Sequence, residues 1–231
     1  MKTIGLLGGM SWESTAIYYR LINQAVSQRL GGLHSASILL HSLDFAPVAA
    51  LQQDNRWAEA GELLANHAHA LEAAGADCLV LCTNTMHRVA DIIETGLSIP
   101  LIHIADATAR HLQRLDINRA GLLGTAFTME QAFYRDRLIG HGIDVLIPDA
   151  QQRSIVHRVI FDELCRGQID DRSRQAFVHI SQQLAKRGAE GIILGCTEIG
   201  LLIGPDDLDL PIIDTTRIHA EAAVDFVLGS L

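Results

Sequence analysis

Short apolar runs, each closed by Gly, Thr or Asn and each followed by residues at helical spacing, recur along the whole chain. The pattern predicts strands at 3–8, 36–42, 78–82, 101–103, 119–124, 143–147, 191–195 and 211–213. Helices are predicted at 13–30, 56–74, 85–95, 105–115, 128–139, 151–166, 171–187 and 215–229. Strands that are continuous apolar runs, such as Gly191-Ile192-Ile193-Leu194, belong in parallel sheets covered on both faces. Alternation of such strands with helices makes this an α/β chain. Thr128 with Gln131 three residues later, and Asp149 before the 151 helix, supply helix-start signals.

The pattern also repeats itself. Thr3-Ile4-Gly5-Leu6-Leu7-Gly8-Gly9 returns about 115 residues later as Arg119-Ala120-Gly121-Leu122-Leu123-Gly124-Thr125. Gly75-Ala76-Asp77-Cys78-Leu79-Val80-Leu81-Cys82-Thr83-Asn84-Thr85 returns 113 residues later as Gly188-Ala189-Glu190-Gly191-Ile192-Ile193-Leu194-Gly195-Cys196-Thr197-Glu198. Each echo is a buried strand running into a polar loop, where open α/β sheets place ligands. The expectation is two pseudo-symmetric α/β domains, each a parallel sheet flanked by helices, with one active site in the cleft between them. Residues 1–98 plus 211–231 form the expected first domain, closed by the C-terminal helix through Ile218, Ala222 and Phe226; residues 99–210 form the second. The 113-residue shift lays Cys196 on Thr83, not on Cys82.

Composition narrows the function. Of the 231 residues, 48% are hydrophobic and 19% charged, a compact globular balance. A net charge of −9 without a basic tract argues against nucleic acid or an anionic membrane as partner. The N-terminal apolar run breaks at Gly8-Gly9, too short for a signal core or a membrane span. Four cysteines without framework spacing point to reduced thiols in the cytoplasm, with Cys78 and Cys165 read as packing residues.

Several absences sharpen the picture. Lys2 and Lys186 are the only lysines, and neither suits a Schiff base in a cleft, so a pyridoxal mechanism is disfavoured. Gly8-Gly9-Met10-Ser11 lacks dinucleotide and P-loop spacing and reads as a backbone loop close to a small ligand. His67 and His69, two apart on a helix, diverge, and no metal site is expected. Cys196 follows a strand and precedes a helical turn whose free amides would favour the thiolate. Cys82 and Thr83 point to opposite faces of an extended strand, so only one of them faces the ligand. A local bulge turning Cys82 inward is the alternative. Asn84 and Thr85 either cradle a carboxylate or simply cap a helix. His87 is either a core histidine or a group that orients proton transfer.

Gly8-Gly9-Met10, Asn84-Thr85-x-His87 and Gly195-Cys196-Thr197-Glu198, in this order, resemble the aspartate/glutamate racemase superfamily over essentially the whole chain. Met1-Lys2-Thr3-Ile4-Gly5-Leu6-Leu7-Gly8-Gly9-Met10-Ser11-Trp12-Glu13-Ser14-Thr15 is similar to its enterobacterial branch of broad-specificity amino-acid racemases. The resemblance implies a cofactor-independent 1,1-proton transfer at an amino-acid α-carbon, and a homodimer. The family uses one Cys from each domain; this chain departs from it, with Thr83 where the first Cys stands. Thr83 and Cys196 are therefore the expected catalytic pair, and Met10, Gln52, Asn84, Thr85, Thr197 and Glu163 the expected substrate contacts. Glu163 either meets the substrate ammonium or lies on a solvated helix face. No basic residue follows the second strand before Arg56, so Gln52 suits homoserine-like polar substrates as well as aspartate or glutamate. A single-Cys malonate-type decarboxylase, or an amino-acid-binding protein that lost catalysis, are the alternatives.

Overall fold

A computed structural model describes residues 1–229; Ser230 and Leu231, the end of the expected first domain, lie outside the described residues. The first elements are β1 (Ile4–Gly8), α1 (Trp12–Leu30), β2 (Ile38–Ser42), α2 (Phe45–Gln53), α3 (Trp57–Ala73), β3 (Cys78–Leu81), a 3-10 turn at Thr85–Val89 and α4 (Ala90–Glu94). There follow α5 (Ile104–Arg114), β4 (Arg119–Gly124), α6 (Ala126–Glu130), α7 (Ala132–Gly140), β5 (Asp144–Leu146), α8 (Ala150–Asp162), α9 (Asp171–Lys186), β6 (Gly191–Gly195), β7 (Ile212–Asp214) and α10 (Thr215–Leu228). One parallel sheet has the order β2-β1-β3, the other β5-β4-β6-β7. Contacts divide the chain into two compact units, Met1–Ile104 with the chain from His219 on, and Ala105–Ile218.

Each sheet is built on a glycine-rich central strand, buried throughout in β1 and from Ala120 on in β4. Ile4, Leu6 and Leu7 of β1 are fully buried, as are Ile192 and Ile193 of β6, and burying one such side chain stabilises by about 2 kcal/mol. The register repeats between the sheets. Leu7 pairs with Leu81 in the first, and Leu123 with Leu194 in the second. Leu79 bridges Leu101 as Ile192 pairs with Ile212. The strand expected at 101–103 is thus reduced to a single bridge.

Other expectations shift for local reasons. Between the predicted strand at 36–42 and helix at 56–74, where the pattern assigns no element, lies α2, which tolerates Pro47 because it falls in the first turn, where its missing N–H costs nothing. Asp44 caps that helix by accepting from the Ala46 N–H. The helix expected at 128–139 is two helices broken at extended Gln131, and its cap is Thr125, whose Oγ1 accepts the Thr128 N–H at 3.3 Å; Thr128 is buried inside the first. The predicted 151–166 helix ends at Asp162 and continues as a 3-10 turn, Leu164–Arg166, that puts Cys165 at the surface rather than in the core. Asp149 and Gln152 form the reciprocal cap of α8. Among the described residues, no helix is long and apolar enough to cross a membrane.

A buried polar network anchors the start of the first unit's returning segment. The Tyr18 hydroxyl donates to His219 Nδ1 at 2.8 Å, and His219 Nε2–H donates to the Ile102 carbonyl. Burial pushes the His219 pKa from 6.5 down to about 4, against the pull of the Ile102 bond. The folded protein therefore holds His219 neutral where the unfolded chain protonates it. Its contribution is complete above about pH 6.5 and is lost as pH falls towards about 4, amounting to about 3 kcal/mol over that window. Urea unfolding at stepped pH is expected to show this loss in the wild type and a flatter dependence in His219→Gln.

Candidate active site

All strands of a parallel sheet end at one edge, so the loops after β1, β2 and β3 share the C-terminal edge of the first sheet. Met10 leaves β1, Thr83, Asn84 and Thr85 leave β3, and Gln52 lies in the helix after β2. Gln52 Nε2 donates to Met86 Sδ at 2.8 Å, tying α2 to the loop after β3. Met10 and Asn84 are buried, whereas Thr83, Thr85 and Gln52 are half-buried. Gly9 has φ 88°, and its missing Cβ makes room for the Leu43 backbone. Its conformational freedom thus serves the packing of the chain after β2.

Cys82 and Thr83 differ sharply. Cys82 is fully buried, its N–H bonded to the Leu7 carbonyl and its thiol directed towards the Val80 carbonyl. Burial pushes that thiol far above its ordinary pKa. Thr83, the next residue, places its hydroxyl at a partly open position.

In the second unit, Cys196 is extended (φ −149°, ψ 134°) and half-buried at the end of β6. Its Sγ–H donates to Glu198 Oε2 at 2.9 Å, and Glu198 is itself buried. Burial, reinforced by the facing carboxylate, pushes the Cys196 thiol well above its ordinary pKa. The thiolate-favouring amides expected from the sequence are outweighed: the following element is a 3-10 turn, Thr197–Leu201, and Glu198 is the dominant polar neighbour. Thr197 Oγ1 accepts from Thr216 Oγ1 at 3.3 Å. Glu163, at the end of α8, accepts the Ser173 hydroxyl at 2.6 Å and so braces α8 against α9. Among the described residues, no three His, Cys, Asp or Glu side chains gather as metal ligands would.

The profile of the family described as Asp/Glu/hydantoin racemase matches residues 7–223. The chain belongs to the Asp/Glu/hydantoin racemase family. This racemase is 25% identical over 230 residues to the broad specificity amino-acid racemase RacX of Bacillus subtilis (strain 168), with 98% of each chain covered. A Yersinia pestis crystal structure of a candidate Asp/Glu racemase matches with 53% identity and a TM-score of 0.94, over 99% of this chain and 100% of that one. An aspartate racemase homologue from Pyrococcus horikoshii OT3 matches with 30% identity and a TM-score of 0.87, over the same shares. The glutamate racemase of Aquifex pyrophilus, 18% identical with a TM-score of 0.62 over 99% of this chain and 84% of that one, shares the fold.

Sequence reasoning left Glu198 without a role. The signal was there: a carboxylate two residues beyond a strand-end Cys, close enough to meet its thiol. In the racemase that carboxylate holds the thiol proton, so iodoacetamide, which reacts with thiolate, is expected to label Cys196 slowly at neutral pH. Replacing the charge in Glu198→Gln removes the repulsion and shifts the labelling midpoint to lower pH. Peptide mapping by mass spectrometry separates Cys196 from the exposed Cys165.

Proposed function

We propose that the racemase interconverts amino-acid enantiomers without a cofactor, Cys196 and Thr83 addressing opposite faces of the substrate's α-carbon. The observation that carries the reading is the 2.9 Å bond from the Cys196 thiol to the Glu198 carboxylate. A thiol with a carboxylate partner has somewhere to send its proton; once Glu198 takes it, the thiolate removes the α-proton. The electron pair left on carbon spreads into the substrate carboxylate. Backbone amides of the strand-end turns and the short polar groups of Asn84, Thr85 and Thr197 are the proposed stabilisers of that charge. Thr83 then returns a proton from the other face and is replenished by solvent. Met10 and Gln52 line the substrate side, and Glu163 is the proposed partner of its ammonium group.

The two halves are chemically unequal. The shift that lays Thr83 on Cys196 also lays Thr85 on Glu198, so the Thr83 loop has a hydroxyl where the Cys196 loop has a base. A Thr hydroxyl donates readily to a carbanion but is a poor proton acceptor. Enantiomers have equal free energy in solution, so kcat/KM must be equal in both directions. The inequality therefore appears in kcat and KM separately, and in exchange with solvent. Support for a polar or acidic substrate side chain comes from Gln52, because Arg56 is exposed and bound in a forked pair to Glu59. The resemblance also carries a cytoplasmic homodimer, which sedimentation would test.

Proton NMR in D₂O with L- and D-aspartate, glutamate and homoserine tests the reading. Loss of the α-proton signal is expected with the wild type, slowed by about 10²–10⁴-fold in Cys196→Ala. Thr83→Cys is expected to raise kcat in the weaker direction. A whole panel without exchange would sink the racemase reading. Carbon dioxide release from substituted malonates would then favour the decarboxylase, and tight binding alone a binding protein.

A further inference from the structure

Thr83 sits where a strand ends, a place where the flanking peptide planes are ordinarily free to rotate and redirect the side chain. Here both are pinned. The Cys82 carbonyl, before Thr83, accepts the Ser14 hydroxyl at 3.2 Å from α1. The Thr83 carbonyl, after it, is 2.8 Å from His87 Nδ1. The Thr83 N–H is itself committed to the Leu81 carbonyl at 2.8 Å. With the two adjoining carbonyls and its own N–H held, the direction of the Thr83 Cα–Cβ bond is set.

The ring that holds the Thr83 carbonyl is itself defined. A carbonyl partner requires Nδ1 of His87 to carry the proton. The other nitrogen, Nε2, takes the N–H of Ile104 at 3.3 Å and so must be bare. Ile104 opens α5, where backbone N–H groups have no partner within the helix. His87 is buried, with its ring edge-on to His103 at 4.6 Å and to His219 at 5.5 Å between centroids. The ring is thus a neutral, fixed spacer between a helix start and the Thr83 carbonyl.

The equivalent place in the other half of the repeat is different. The 113-residue shift that lays Thr83 on Cys196 lays His87 on Gly200, which is exposed and has no side chain to offer. Among the described residues, the Cys196 carbonyl accepts the Ile199 N–H of its own turn, at 3.2 Å. A thiol paired with a carboxylate tolerates loose placement better than a hydroxyl that must deliver a proton without an adjacent acid. The clamp stands on the half that holds the weaker group.

We infer that His87 is a positioning residue for proton delivery by Thr83, acting through the Thr83 carbonyl; the inference rests on the proposed role of Thr83. The test compares wild type, His87→Asn and His87→Gln in D₂O, reading inverted product against deuterium exchange from the enantiomer that Cys196 deprotonates. An Asn amide reaches the Nδ1 position and can still donate to the Thr83 carbonyl; a Gln amide reaches the Nε2 position and can serve only Ile104. Inversion per exchange is expected to fall at least about tenfold in His87→Gln, the scale on which misplaced catalytic groups act, and to be largely restored in His87→Asn. Exchange that persists in the same samples shows that the Cys196 loop is folded. Equal ratios in the two variants, or exchange and inversion falling in parallel, would mark His87 as structural only and overturn the inference. Thr83→Ala that still inverts at the wild-type ratio would instead remove the role of Thr83 itself.

Discussion

The register of the central parallel strands is the constraint on which the rest depends. β1 lies on β3 with Leu7 opposite Leu81, and β4 lies on β6 with Leu123 opposite Leu194. Thr83 and Cys196 each come two residues beyond that shared rung. Side chains in a strand alternate faces, so a slip of one residue would bury Thr83 and bring Cys82 to the open position. The buried faces forbid the slip: Leu79, Val80 and Leu81 are all fully enclosed. Packing of apolar residues thus decides which polar residue reaches the partly open position.

Charge placement then separates two loops of common pattern. Burial and the facing Glu198 carboxylate push the Cys196 thiol well above its ordinary pKa, and the thiol donates to that carboxylate. The equivalent place beside Thr83 is Thr85, a hydroxyl without charge. Cys82 is a fully enclosed thiol, and burial pushes it far above its ordinary pKa.

Histidines carry much of the interior polar order of the first unit. His87 and His219 each use both ring nitrogens, one as donor and one as acceptor, to join segments far apart in sequence. A neutral imidazole suits this role because it offers one donor and one acceptor on a rigid ring. Lysine or arginine would bring a charge whose burial costs far more. The same neutrality exposes the fold to acid, since His219 binds a proton readily once the chain opens.

The α/β class, the duplication and the strand-end loops were legible in the chain because apolar runs and their Gly- and Thr-rich ends depend only on local sequence. The 113-residue echo even matched Thr83 with Cys196, because the strands it relates hold the same register in both sheets. Helix boundaries near Pro47 and Gln131 were not legible, since capping is a competition between neighbouring Asp, Thr and Gln side chains that packing resolves. Nor was the state of Cys196: free amides and a carboxylate two residues on pull its proton in opposite directions, and only the fold sets their distances. Ser14 on the Cys82 carbonyl and His87 on the Ile104 N–H were decided by tertiary structure alone. Hydrogen bonds need direction and contact, and apart from chain-local ones, those arise only when elements distant in sequence meet.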